Sequence, residues 1–277
     1  THRAQYFNPD GEGIIFLEKV IRFGSKFQES QNSAQTSLFG ENTDQVYQEL
    51  VIPSCPQWNN LEKLKKEREV VGIYISGHPL DDFKKEMKWF TNADLSQLKD
   101  LIPLVNKNLI VAGIVNEIQH LESKNGKGWG RFTLEDFSDQ YEFRIFGEEY
   151  LRFKHFISVN QFIRIKINIK EGWKNQETGR LGDPRIQFIH FEMLHDSLSK
   201  NSKKLTLHLD IRDLQSDSIL QLKRELKSFK GDKPLFFDVV DPQKPIKLTL
   251  ASRKQRVSIS HELLAHLEEK QLAYKLN

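Results

Sequence analysis

Leu109-Ile110-Val111-Ala112-Gly113-Ile114-Val115-Asn116-Glu117-Ile118 opens the stretch that decides the fold. The run is too rich in β-branched residues, and too soon followed by glycines, for a long helix, so it reads as a first strand. Ser123-Lys124-Asn125-Gly126-Lys127-Gly128 then supplies residues that tolerate positive φ, and Gly130-Arg131-Phe132-Thr133-Leu134-Glu135 resumes with alternation, which makes a hairpin. After a short turn at 136–139, Tyr141 to Phe146 alternates again. A helical patch follows from Glu148 to Phe156, with Tyr150, Leu151 and Phe153 as its inner side. Phe162 to Lys170 and Arg185 to Phe191 are two more strands, separated by a loop holding Trp173, Gly179 and Gly182. Three strands, a helix and two strands is the order of a five-stranded OB-fold barrel, here over residues 109–194.

Outside the barrel, the apolar residues Ile14, Leu17, Val20, Ile21, Phe23 and Phe27 recur at helical spacing and predict an amphipathic helix. Residues 29–60 begin polar and aperiodic, a linker whose early part holds one large apolar pair, Leu38-Phe39, in Gln35-Thr36-Ser37-Leu38-Phe39-Gly40. Such a pair either folds back on its own domain or is a short motif received by another protein's pocket. Residues 61–108 read as a helical connector. A charged helix runs from Leu61 to Ile75, Ser76-Gly77-His78-Pro79 breaks it, and a second helix starts near Pro79 with Leu80, Phe83 and Met87 inward. His78, Asp81 and Asp82 are read as helix-start chemistry rather than metal ligands, since no second ligand cluster accompanies them. A short third helix covers Asp94 to Leu98. Beyond the barrel, 197–204 is polar and basic, a plausible hinge. Residues 200–277 then give strand (205–211), helix (219–229, ended by Gly231), strand (235–240), strand (246–250) and helix (260–270). The expected class is therefore α+β and multidomain: a helical linker region, the barrel, and a small C-terminal α+β domain.

With 277 residues, 38% hydrophobic and 29% charged, the chain is composed like a globular protein. No apolar run approaches the ~20 residues of a membrane span, so no membrane partner is expected. One cysteine, Cys55 between two prolines, excludes an internal disulfide and points to a reducing, cytoplasmic setting. The net charge of +3 is unevenly placed: residues 109–194 carry 12 Lys/Arg against 12 Asp/Glu, whereas 200–277 carry 16 against 10. Net charge alone therefore does not make the barrel a nucleic-acid binder. Its residue types go further. An OB barrel binds on the face of its second and third strands, which here offers Arg131, Arg144 and Phe146, with Lys124, Lys127 and Trp129 on one rim and Trp173, Lys174 and Arg180 on the other. Aromatic rings stack bases and cations track phosphates, the requirement of single-strand binding. Because side chains alternate, Phe132 and Leu134 share one face and Arg131 and Thr133 the other, just as Phe143 and Ile145 oppose Arg144 and Phe146, so about half of these aromatics belong to the core. The sequence has no phosphate-binding Gly-x-x-x-x-Gly-Lys loop, no Cys/His metal spacing, no nucleophile elbow and no paired carboxylates on strands for two-metal chemistry. It reads as non-catalytic, with no cofactor of its own.

Gly72-Ile73-Tyr74-Ile75-Ser76-Gly77-His78-Pro79-Leu80-Asp81, preceded by Gln35-Thr36-Ser37-Leu38-Phe39 and followed by the barrel, resembles the C-terminal part of the bacterial replicative DNA polymerase III alpha subunit. The resemblance covers essentially the whole chain, which then reads as an excised piece of a longer one. It implies that Gln35, Leu38 and Phe39 form the internal motif that binds the sliding clamp (the beta subunit), and that the barrel meets single-stranded template DNA. It further implies that residues 200–277 correspond to the domain associated with the tau subunit of the clamp loader, and that residues 1–28 abut the duplex-binding fingers region. The catalytic aspartates of the nucleotidyltransferase, and with them its Mg2+, would lie upstream. Two other readings remain open at this point: a free-standing OB-fold single-strand nucleic-acid binder, and a peptide-binding scaffold.

Overall fold

A computed structural model describes residues 1–32, 50–173, 181–241, 243–244 and 246–277. Two compact units emerge, Thr1–Pro79 and Leu80–Asn277. The first holds α1 (Arg3–Phe7), α2 (Phe16–Asn32) and α3 (Asn60–Val71). Asn59 caps α3 by accepting the Glu62 N–H at 2.8 Å, the role for which a short amide side chain is suited. The helix stops four residues before the expected Ile75. Gly72 adopts φ 86° and donates its N–H to the Arg68 carbonyl at 2.8 Å, a left-handed cap that overrides the apolar run behind it. In α2, Ile21 and Phe27 are solvent-exposed.

The second unit begins with a 3₁₀ turn at Asp81–Phe83 that leads into α4 (Lys84–Phe90). Leu80, Phe83 and Met87 pack inward as expected, against Ala112, Phe162 and Leu194. Five antiparallel strands follow: β1 (Asn108–Glu122), β2 (Gly128–Glu135), β3 (Gln140–Phe146), β4 (Phe162–Lys170) and β5 (Arg185–Met193), with α5 (Gly147–Phe153) between β3 and β4. They form one sheet in the order β3-β2-β1-β4-β5. Alternation decides the faces: Ile163, Ile165, Ile167 and Ile169 of β4 are all fully buried, together with Phe132, Leu134, Phe143 and Ile145. β1 serves both neighbours by bending at Gly113 beside a bulge between Val115 and Glu117. A Cβ at 113 would run into the Glu135 carbonyl and come within 2.9 Å of Leu134 Cγ, so only glycine fits.

Strand number and order match the expected barrel, but the ladder does not close: among the described residues no backbone pairing joins β3 to β5. Side chains approach across that seam instead, with the rings of Phe143 and Phe188 at 5.8 Å. In α5 Tyr150 and Phe153 are buried, whereas Leu151 is 64% exposed, against expectation. The Tyr150 ring fills the space over Gly128 and Gly130, where a Cβ would meet it at 2.9 and 3.0 Å, and that ring leaves Leu151 the outward position.

Residues 197–204 are not a hinge. They mostly belong to α6 (Leu194–Asn201), with Ser197 and Leu198 buried. Polar side chains in that segment are consumed by a buried acid: Glu192 accepts from Ser197 Oγ and Asn201 Nδ2 at 2.7 Å each, and pairs with Arg164 at 2.8 Å. The second sheet is made of β6 (Leu205–Asp210), β7 (Lys230–Asp241), β8 (Ile246–Val257) and β9 (Tyr274–Leu276), in the order β8-β7-β6-β9, with β6 and β7 parallel and joined through α7 (Ser216–Ser228). Gly231 lies inside β7 rather than ending α7, and a Cβ there would strike the Ser258 backbone at 2.4 to 2.5 Å. α8 (His261–Glu269) packs Leu263, Leu264 and Leu267 into a core with Leu205, Leu207, Leu226 and Leu235. Phe90 and Trp89 of α4 join the same core, so the connector helix is part of this layer.

Candidate nucleic-acid interface

On the outer face of the first sheet, Trp129 pairs in register with Phe146, and Arg131 with Arg144. The Trp129 and Phe146 rings stack at 5.2 Å and 18°, and Phe146 remains 56% exposed. Two arginines directly opposite one another repel. Glu142 offsets this by reaching both, at 3.0 Å from Arg144 Nη2 and 3.4 Å from Arg131 Nη1, while Gln119 accepts from Arg131 at 2.8 Å. The result is a flat aromatic patch beside an arginine pair that is only half neutralised.

The open seam between β3 and β5 forms a cleft of about 840 Å³. Arg144 and Phe146 line one side of it, Arg185 to Phe188 the other, with Lys170 at the end of β4 and Trp173 just beyond it. Trp173 is 75% exposed, and the Arg185 guanidinium sits 4.0 Å above its ring centroid, a cation–π contact that orients both groups. The Gly182 N–H donates to the Trp173 carbonyl at 3.0 Å, and Gly172 lies so near the Gly182 carbonyl that any side chain there would collide with it. Neither Lys170 nor Arg185 has a carboxylate within ion-pair distance among the described residues. Two acids share the cleft, Glu142 and Glu149. Burial pushes the Glu149 carboxyl above the ordinary carboxylate range, against a hydrogen bond from the Phe188 backbone N–H and the charge of Arg185. Burial likewise raises the Tyr141 hydroxyl.

The cleft thus gathers three residues expected from the sequence, Arg144, Phe146 and Trp173, while Trp129 and Arg131 lie on the adjoining face. Lys124 and Lys127 are exposed in the β1–β2 turn and do not line the cleft. Lys174, like Arg180, lies outside the described residues, and so do Gln35, Leu38 and Phe39. Sequence reasoning missed Lys170, Arg185 and Glu149. The first two stand at strand ends flanking the Trp173 loop, a placement that could have marked them. Asp81, set aside as a ligand, pairs with Lys84 at 2.8 Å.

A family model described as DNA polymerase III alpha subunit, C-terminal domain, matches residues 205–277. Curated DNA polymerase III alpha subunits match far more of the chain: that of Borreliella burgdorferi is 27% identical over 252 residues, covering 85% of the chain. Residues 205–277 are thus similar to the C-terminal domain of these subunits, and most of the chain is similar to DNA polymerase III alpha subunits. The Pseudomonas fluorescens subunit is 22% identical over 83% of the chain, and that of Xylella fastidiosa 26% over 95%. The chain spans only 20%, 19% and 23% of these three relatives' own lengths, so the similarity places a region of the subunit rather than the whole of it. Among the described residues no helix is long and apolar enough to cross a membrane.

Proposed function

We propose that this chain is a non-catalytic, cytoplasmic C-terminal part of a replicative polymerase alpha subunit, and that its cleft binds single-stranded DNA during replication. The observation that carries this reading is the cleft itself: exposed Phe146 and Trp173 with Arg144, Lys170 and Arg185 along one open sheet seam. Rings of this kind stack bases of any sequence, and cations spaced along the cleft follow a backbone. The curled five-stranded sheet is read as an OB-type barrel whose unpaired seam is the binding groove. In the same reading Gln35, Leu38 and Phe39 engage the sliding clamp, with the two apolar side chains in a pocket and the amide at its rim. Residues 200–277 would face the tau subunit of the clamp loader. Any Mg2+ would serve the catalytic part of the longer subunit.

Anisotropy of a labelled dT oligonucleotide, titrated with the protein at several salt concentrations, tests the cleft. Trp173→Ala should weaken binding by about 1–3 kcal/mol, roughly 5- to 150-fold. Lys170→Ala and Arg185→Ala should each flatten the log–log salt dependence by about 0.7. Binding unaffected by all three changes removes the cleft as the site, and no binding at low salt favours the scaffold reading.

A further inference from the structure

Glu149 is out of place in a cleft built for an anion. It stands in the first turn of α5, where a carboxylate suits the helix dipole, but exposed Glu148 beside it already meets that need. Glu149 is instead half-buried and lines the cleft, held by the Phe188 backbone N–H. No Lys or Arg lies within ion-pair distance of it among the described residues, although Arg144, Lys170 and Arg185 line the same cleft. A half-buried carboxylate with no cation beside it keeps lone pairs facing the cleft, which water fills until a ligand donates to them. Phosphate oxygens cannot donate. Base edges can, and on a single strand the Watson–Crick edge is free.

We infer that Glu149 is a specificity residue of the cleft, its carboxylate reading the Watson–Crick edge of an unpaired base and favouring guanine. This rests on the cleft being a single-strand site. Guanine alone presents two adjacent donors, N1–H and the N2 amino group, which match the two oxygens of a carboxylate. Cytosine and adenine offer one amino group each, and a carboxylate accepts from such a group in base recognition generally. Thymine offers N3–H between two carbonyls, which repel the acid. Phe146 and Trp173 supply stacking surface without preference, so discrimination falls to the polar groups of the cleft, and of its two acids Glu142 is engaged by Arg131 and Arg144 whereas Glu149 has no such cation among the described residues.

The test uses three labelled oligonucleotides of equal length: all dT, the same with one central dG, and the same with one central deoxyinosine, which keeps N1–H but lacks the amino group. Anisotropy at low salt and neutral pH should give about tenfold tighter binding for the guanine strand than for all dT, with inosine between. Glu149→Gln and Glu149→Ala should each bring the three together, read as the ratio of guanine-strand to all-dT affinity, a ratio that a change in general binding does not move. Equal binding of the three strands by the unaltered protein overturns the inference and leaves the cleft's role standing, as does a guanine preference that survives in Glu149→Gln. Failure to bind any strand overturns both.

Discussion

Replacing Gly113 by alanine puts one methyl group where the first sheet is tightest. The added Cβ would overlap the Glu135 carbonyl oxygen and sit 2.9 Å from both that carbonyl's carbon and Leu134 Cγ, where ordinary contact begins at 3.4 Å. The strands must therefore separate by at least half an ångström at the Ile114↔Glu135 pair, next to the bulge where β1 turns from β2 toward β4. Both flanking side chains, Leu134 and Ile114, are buried, so the core cannot give way to solvent. Overpacking of this kind costs about 1–3 kcal/mol, and a buried backbone group left unpaired adds about 1–3 more. A loss of about 3 kcal/mol is expected, or roughly 6–12 °C in Tm for a unit of this size. Urea unfolding followed by circular dichroism measures it. Gly24→Ala is the control, in a helix, with nothing within 4 Å of its Cβ and φ outside the left-handed region, and it should raise stability by about 0.5–1 kcal/mol. If Gly113→Ala stays within 0.5 kcal/mol of the unaltered protein, the bend does not depend on glycine and the account of β1 is wrong.

Glu86 of α4 is fully buried, with His261 Nε2 at 2.9 Å from Oε1 but without hydrogen-bond geometry. Burial holds its carboxyl above the ordinary 4.5, opposed by a backbone hydrogen bond and by His261 and Lys85. The folded state therefore binds this proton more tightly than the unfolded chain, and its contribution to stability falls as pH rises from 4.5 through the raised value. Glu86→Gln should gain on the unaltered protein across that window and differ least in acid; parallel stability–pH curves would refute this. Changing Gln35, Leu38 and Phe39 together to alanine should abolish capture by the matching sliding clamp, and undiminished pull-down would remove that assignment. Tyr150→Phe breaks a 2.9 Å hydrogen bond to His120 Nδ1 beside the two glycines it covers, and should cost about 1 kcal/mol by denaturant titration.

Much of this fold is legible in the sequence where a single period governs a segment. The isoleucines of β4 and the Phe/Leu alternation of β2 and β3 fix strand and face together, because a strand slipped by one residue would put Lys166 or Arg131 into the core. What escapes is whatever depends on a distant partner. Ser197 and Asn201 look like hinge residues until Glu192 and Arg164 are placed beside them. β9 is three residues long and exists only because β6 offers an edge. The same limit applies to the cleft. Arg144, Phe146 and Trp173 announce themselves by residue type, whereas Lys170, Arg185 and Glu149 matter through the approach of β5 to β3, which no local pattern encodes.

The docking of α4 also has a mechanical side. The Phe90 carbonyl accepts from Arg164 Nε at 2.7 Å, the same arginine is locked to Glu192, and the Phe90 ring is sunk among the leucines of the second sheet. A load applied to the last seventy residues therefore meets no swivel before it reaches β4. It must either shear a helix from its socket or pull directly on β4, which makes the tail a lever on the first sheet rather than a slack leash.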